Sequence, residues 1–288
     1  MTINKDYVYI NSGLVSKEDA KVSVFDRGFL YGDGVFETMR IYNGVPFRLD
    51  EHMERLVDGL KILRFPKLPA GIKVYVSRLI EENKVRNGVL RIAVSRGELT
   101  SGIDPAACRE PTVVITAKEG VLYAEEFYKK GFRAIIAGIR KDAKSPLCRV
   151  KSANFLTHIL AKGEATDAGV DDAIMLNNDG FATEATVSNL FFVKGDEVVT
   201  PSVDSGILPG IARRDIFEVA ATIGLKVSER YVNPEELHSA DEAFLTNSLM
   251  EVMPLVKIDR RPIKNGLPGR VTSDIHNKYR EIVRENIF

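Results

Sequence analysis

Short runs of β-branched and aromatic residues recur along the first part of the chain: Tyr7-Val8-Tyr9-Ile10, Val22-Ser23-Val24-Phe25, Val35-Phe36-Glu37-Thr38-Met39-Arg40-Ile41 and Leu90-Arg91-Ile92-Ala93-Val94. Turn residues such as Asn11-Ser12-Gly13 and Asn43-Gly44 bound them, and they read as strands. Between them, across residues 48–63, Met53, Leu56, Val57, Leu60 and Leu63 keep helical spacing with Asp50 as N-cap. A strand over 112–117 gives way to the polar Lys118-Glu119-Gly120, where the chain is expected to cross between domains. Beyond it the pattern predicts a strand over 132–139 and a helix over 154–168 with Phe155, Leu156, Ile159 and Leu160 on one side. Strands over 173–176 and 190–193, a helix over 213–223 after Pro209-Gly210, and a closing helix over 272–283 follow.

This order predicts a two-domain protein of mixed α and β class. Residues 1–118 form an N-terminal α/β domain, 119–131 an interdomain linker and 132–288 a C-terminal domain; 288 residues suffice for two cores. Composition excludes more than it identifies. With 44% apolar and 28% charged residues and a formal net charge of zero, there is no nucleic-acid footprint. Met1-Thr2-Ile3-Asn4-Lys5 lacks the charged and apolar regions of a signal peptide, and no apolar run reaches the ~18 residues of a membrane span, so the cytoplasm is expected. Cys108 and Cys148 are expected to be free thiols, and His52, His158, His238 and His276 show no metal-ligand spacing. Neither a G-x-S-x-G elbow nor a P-loop is present.

Lys151, in Cys148-Arg149-Val150-Lys151-Ser152-Ala153-Asn154-Phe155, is the candidate for amine chemistry. Placed just before a helix opening near Ser152, its ammonium would meet the positive end of the helix dipole, which disfavours the charged form. Taken alone, such a lysine is more often a solvated charge. Glu184 stands with Ser188 and Asn189 in a run otherwise apolar enough to be buried, and a buried carboxylate needs a partner; a protonated pyridine nitrogen is one. In Leu208-Pro209-Gly210-Ile211-Ala212, a glycine turn precedes a helix whose first N–H groups, from Ile211 and Ala212, suit a phosphate. Arg55 lies about 200° around its helix from Met53, on the face that periodicity leaves to solvent.

Six ordered segments together resemble one family. They are Arg27-Gly28-Phe29-Leu30-Tyr31-Gly32-Asp33-Gly34-Val35-Phe36-Glu37, Glu51-His52-Met53-Glu54-Arg55-Leu56, residues 151–155, residues 184–189, Leu208-Pro209-Gly210-Ile211, and Thr246-Asn247-Ser248-Leu249-Met250-Glu251-Val252-Met253-Pro254. In this order they resemble the class IV, or fold-type IV, pyridoxal-phosphate enzymes: branched-chain and D-amino-acid aminotransferases and 4-amino-4-deoxychorismate lyase. The resemblance implies a smaller N-terminal α/β domain, a larger C-terminal pseudo-barrel domain, and pyridoxal 5'-phosphate as cofactor. It also implies that Lys151 anchors the cofactor as a Schiff base and moves the proton, and that Glu184 pairs with the pyridine nitrogen. Arg55, Ile211, Ala212 and Ser248 bind the phosphate, in a cofactor pocket that includes Ser188, Asn189, Leu208 and Gly210. Phe36, Thr38, Asn247 and Leu249 are the corresponding substrate-side positions. Members are homodimers with shared active sites, so Arg27 and Tyr31 are expected to act across an interface.

Departures from the family patterns bear on the substrate. Similar branched-chain enzymes have glycine where Thr38 stands, tyrosine where Phe155 stands, Gly-Thr-Ala where Asn247-Ser248-Leu249 stands, and threonine where Ala212 stands. D-Amino-acid enzymes trap the carboxylate with an arginine and a histidine in the loop matching Thr100-Ser101-Gly102-Ile103, which has neither. Arg27 and Arg91 are the alternative trap, forming charge-assisted bonds from two sides; otherwise Arg27 pairs with Asp26 or Asp33, and Arg91 lies on a wet strand face. The expected activity is transfer of an amino group between an amino acid and a 2-oxo acid, leaning towards D-amino acids, with branched-chain L-amino acids as a further possibility. The alternatives are a 4-amino-4-deoxychorismate lyase that releases pyruvate, with Thr38 assisting protonation, and a non-catalytic pyridoxal-phosphate carrier.

Overall fold

The structure, a computed structural model, describes residues 6–11, 13–66, 68–99, 102–120 and 123–287. The readings made for residues 1–5 and for Ser12, Thr100 and Ser101 lie outside these. The chain divides into two compact units: Met1–Leu122 with Val150–Phe155, and Tyr123–Arg149 with Leu156–Asn286.

The first unit runs β1 (Tyr7–Ile10), β2 (Gly13–Ser16), α1 (Arg27–Tyr31), β3 (Gly34–Tyr42), β4 (Val45–Pro46), α2 (Leu49–Ile62), α3 (Ile72–Glu82), β5 (Gly88–Ser95) and β6 (Thr112–Glu119). Its strands form one sheet in the order β2-β1-β6-β5-β3-β4. Alternation drives this arrangement: Val35, Met39 and Ile41 of β3, with Leu90, Ile92 and Val94 of β5, are buried with Leu56 and Leu60 of α2 and Val76 and Leu79 of α3. The apolar run Val22-Ser23-Val24-Phe25 is not a strand; Val24 and Phe25 are exposed and the segment forms irregular chain before α1. Asp50 is not the cap of α2. Arg48 holds that position at φ 56°, and Asp50 and Glu51 occupy the first turn, where the positive end of the helix dipole favours carboxylates.

Val150–Phe155 completes this unit by lying along the start of β3. The Phe36 amide donates to the Lys151 carbonyl (2.9 Å), the Ala153 amide donates to the Gly34 carbonyl (2.8 Å), and Val35 bridges Ser152.

The second unit comprises α4 (Glu125–Lys130), β7 (Phe132–Lys141), α5 (Leu156–Asp167), β8 (Asp172–Asn177), β9 (Ala182–Ala185), β10 (Asn189–Lys194), β11 (Glu197–Pro201) and α6 (Ile211–Thr222). It continues with β12 (Lys226–Arg230), α7 (Pro234–His238), β13 (Glu242–Asn247), β14 (Glu251–Ile258), β15 (Arg261–Pro262) and α8 (Arg270–Glu285). Six of its strands, β10-β13-β14-β7-β8-β9, close into a barrel because β9 returns to β10 through the pair Glu184 and Asn189. Leu176, Leu190, Phe192, Leu245 and Met253 fill its core. The stretch expected as a linker thus contains α4, whose Tyr128 is buried in this unit.

The helix expected over 154–168 begins only at Leu156, five residues after Lys151. Its buried face is Ala161 and Ala165, whereas Leu156, Ile159 and Leu160 are exposed. The apolar stripe therefore points away from the core of this unit, and the helix does not open beside Lys151.

Candidate active site

In the first unit, β3 carries polar contacts on both of its faces, with β5 and residues 151–155 on one and α2 on the other. Residues two apart share a strand face, so Phe36 and Thr38 look one way and Glu37 the other. On the Phe36 side, Lys151 Nζ lies 4.7 Å from the ring centroid and Arg91 Cζ 3.9 Å from it. Phe155 packs edge-on against the same ring at 5.7 Å. Thr38 sits directly opposite Arg91 in the β3–β5 register, and Arg91 Nη1 donates to its hydroxyl at 3.4 Å. No carboxylate pairs with Arg91 among the described residues; it stands at an exposed position of β5, as the wet-face alternative expects, and partial desolvation lowers its pKa.

On the Glu37 side the carboxylate is fully buried. Arg55 donates to it twice, Nε to Oε1 and Nη2 to Oε2, each 2.8 Å, and His52 Nδ1 lies 2.6 Å from Oε2. Burial pushes the Glu37 pKa up, but the charge of Arg55 and the bonds from His52 and Arg55 outweigh it and hold the value at about 2. An ionised carboxylate only accepts, so His52 donates from Nδ1. Arg55 is therefore not on a solvated face: a bidentate pair fixes its fork. Burial dominates His52 and lowers its pKa; Arg55 and Lys151 lower it further, against Glu37. A charge-to-neutral change at Glu37 has a pH signature. Above pH 4.5 the stability it contributes is whole, and it is lost as pH falls from 4.5 towards about 2, because the unfolded chain takes up the proton first. Thermal melts of Glu37→Gln across that window should show a weaker acid dependence than wild type; an identical dependence counts against this assignment.

Arg27, expected either as a carboxylate trap or paired with Asp26 or Asp33, pairs with Asp33. It is buried, its Nε donates to Asp33 (2.8 Å), and Nη1 and Nη2 donate to the carbonyls of Gly102 (3.3 Å) and Ile103 (3.2 Å). Arg96 grips the same carboxylate from Nε at 2.7 Å. Arg27 thus ties the 102–103 loop to the turn after α1, a turn that needs glycine at Gly32, where φ is 66°. Its guanidinium lies 5.3 Å from the ring of half-exposed Tyr31.

In the second unit, Glu184 of β9 is buried and held by three donors. Lys141 at the end of β7 pairs with Oε1, while Asn189 Nδ2 (3.2 Å) and the Leu208 amide (3.1 Å) donate to Oε2. A carboxylate offers about four acceptor positions, so room for one further donor remains. Asn189 Nδ2 also donates to the Leu208 carbonyl (2.9 Å), which fastens β10 to the turn before α6. That turn admits only glycine at 210, because a Cβ there would stand 2.0 Å from Asn189 Oδ1. Gly210 is the N-cap of α6 and has no side chain to satisfy the first-turn N–H groups of Ile211 and Ala212. The buried Ser188 hydroxyl has no hydrogen-bond partner among the described residues. The Asn247 side chain shapes the next turn: Oδ1 accepts from the amides of Leu249 and Met250, both 2.8 Å, and Nδ2 donates to the Val187 carbonyl at 3.0 Å, with Ser248 between them in sequence.

Sequence reasoning passed over Glu37, His52 and Lys141. Glu37 carried a signal, since it shares the buried alternation of Val35, Met39 and Ile41; His52 and Arg55, three apart, sit on one helix face. Lys141, which closes β7 beyond the apolar run, carried none.

The chain belongs to the class IV aminotransferases: the family model described as amino-transferase class IV matches residues 34–258. A Methanocaldococcus jannaschii protein provisionally named a branched-chain-amino-acid aminotransferase is 39% identical over 281 residues, covering 96% of both chains. Aminodeoxychorismate lyase of Bacillus subtilis is 34% identical, over 97% of this chain and 96% of that one. D-Alanine aminotransferase of Bacillus licheniformis is also 34% identical, over 93% and 94%. The T.th. branched-chain amino acid aminotransferase with pyridoxamine 5'-phosphate superimposes with a TM-score of 0.91 at 31% identity, covering 97% of this chain and 94% of that one. The unpartnered Ser188 hydroxyl, the spare acceptor position on Glu184 and the uncapped start of α6 fit a phosphorylated pyridine. Among the described residues, no group of three or more His, Cys, Asp or Glu is placed to hold a metal, and no helix is long and apolar enough to cross a membrane.

Proposed function

We propose that this aminotransferase uses pyridoxal 5'-phosphate to move an amino group from a branched-chain L-amino acid to a 2-oxo acid, with Lys151 as the catalytic amine. Bound pyridoxal phosphate supplies an electrophilic aldehyde and a ring that draws electrons from the Cα of an attached amino acid. Lys151 anchors the cofactor and carries the proton to and from Cα. Glu184, held in place by its three donors, takes the ring N–H. The α6 amides of Ile211 and Ala212, with Ser248 and Arg55, take the phosphate, and Ser188 adds a hydroxyl. Arg91 takes a substrate carboxylate.

The observation that carries this reading is the shared Phe36 ring: a lysine and a carboxylate-free arginine rest against one aromatic surface. The leaning towards D-amino acids rests on two arginines, and Arg27 is committed to Asp33 and the 102–103 loop. Around Lys151, Phe36 and Phe155 offer an apolar lining suited to a branched side chain. A second reading, pyruvate release from 4-amino-4-deoxychorismate, draws on Thr38, whose hydroxyl lies on the Phe36 face of β3 beside Arg91.

The run of exposed apolar side chains at Val24, Phe25, Phe29, Leu30 and Tyr31 supports a homodimer with shared active sites, because apolar surface of this kind is seldom left to water. Phe29 and Ile103 in the first unit and Leu156 in the second are each more than two-thirds exposed, and we propose that a second copy covers them, bringing Tyr31 to its neighbour's site. Cytoplasmic location remains part of this proposal.

A single assay separates the readings. L-Leucine, D-alanine and D-glutamate are added separately to the yellow protein while its visible absorbance is followed; bleaching by L-leucine alone is expected. Bleaching by a D-enantiomer alone overturns the donor assignment. Pyruvate from aminodeoxychorismate without an amino acceptor establishes the lyase, and retained colour with no response establishes a carrier.

A further inference from the structure

The turn after β13 ends in a clamp that the reaction chemistry does not use. Glu251 sits at φ 58°, a left-handed conformation that is unfavourable for a residue with a Cβ, and is almost fully buried. Its Oε2 accepts from His276 Nε2 and Arg280 Nε of α8, each at 2.8 Å. Arg280 continues to Glu125 at the start of α4, donating from Nη2 at 2.8 Å. Tyr128, also on α4, stacks on the His276 ring at 4.7 Å and lies 5.2 Å from the Arg280 guanidinium. Its hydroxyl donates to the Met250 carbonyl at 3.1 Å, while Thr246 Oγ1 donates to the Glu251 carbonyl at 2.7 Å. Two helices far apart in sequence therefore grip the two residues that close the turn.

We propose that Tyr128, His276 and Arg280 are positioning residues, and that this α4–α8 clamp holds residues 247–250 in the shape that receives the cofactor phosphate and the substrate. The inference rests on the reading of Asn247, Ser248 and Leu249 given above. Asn247 and Glu251 pair across the turn, so whatever fixes Glu251 and Met250 bears directly on where Ser248 and Leu249 between them stand. Releasing the Met250 carbonyl or the Glu251 carboxylate lets the turn relax towards ordinary backbone, and the binding groups move with it.

The test uses Tyr128→Phe, which keeps the ring and removes one bond, with Arg280→Met and Arg280→Lys beside it. Pyridoxal phosphate is titrated into each apo-protein by visible absorbance, and each apo-protein is melted. Tyr128→Phe should weaken cofactor binding roughly tenfold while its apo melting temperature stays within about 4 °C of wild type. Arg280→Met should weaken binding further, and Arg280→Lys should recover part of it. Unchanged cofactor affinity in Tyr128→Phe, or melting and affinity lost in fixed proportion across the three variants, overturns the proposal and leaves a purely structural tie. Failure of the wild-type protein to bind pyridoxal phosphate instead sinks the cofactor reading itself, a result distinct from either.

Discussion

Lys151→Ala should leave a folded protein whose transamination is reduced roughly ten-thousandfold or more, the scale of losing both the covalent anchor and the proton carrier. Folding should survive because the backbone of this segment makes its own bonds: the Lys151 carbonyl accepts from Phe36 and the Ala153 amide donates to Gly34. Only the side chain, with its Nζ over the Phe36 ring, is lost. Borohydride reduction of the wild-type holoenzyme followed by peptide mapping should place the label on residue 151. Lys141 is the natural control, since it is buried yet engaged with Glu184. A label on Lys141, or a variant retaining more than a tenth of wild-type activity, would falsify the assignment.

Arg91→Met should raise the KM for the amino donor by roughly a hundredfold or more, the scale of a charge-assisted bond to a carboxylate, with cofactor absorbance unchanged. Methionine keeps bulk against Phe36 and removes the guanidinium that lies 3.9 Å from its ring. The two alterations are distinguishable: one changes kcat and the covalent link, the other changes KM and leaves the cofactor in place. An unchanged KM in Arg91→Met would retire the carboxylate trap and move substrate recognition to another group.

Most of the strands and helices were legible because one face of each is buried. The runs at β3, β5 and β7 alternate or persist as apolar stretches at positions that enter a core. The same rule misled at Val22-Ser23-Val24-Phe25 and on α5, where apolar residues are exposed rather than packed. Periodicity reports that a face is apolar and is silent on what covers it. Of the candidate site, motif order singled out Lys151, Glu184 and Gly210, whereas their supports were hidden. Arg55 looked solvated because its partner, Glu37, lies on a different element. Arg27 looked available because the carbonyls that accept from it, Gly102 and Ile103, are 75 and 76 residues away. Such long-range polar pairing has no local period to betray it.

The residues that close the barrel of the second unit are the same residues proposed for the cofactor pocket. Glu184 and Asn189 form the bridge by which β9 rejoins β10, and both also anchor the turn ahead of α6 through Leu208. On that proposal chemistry and architecture share one seam, so natural drift or laboratory redesign would have little freedom at these two positions: a change meant to retune the ring would also loosen the joint. The Phe36 face of β3 closes no such joint, and if it receives the substrate as proposed, it is the side on which substrate preference would diversify while the fold stays whole.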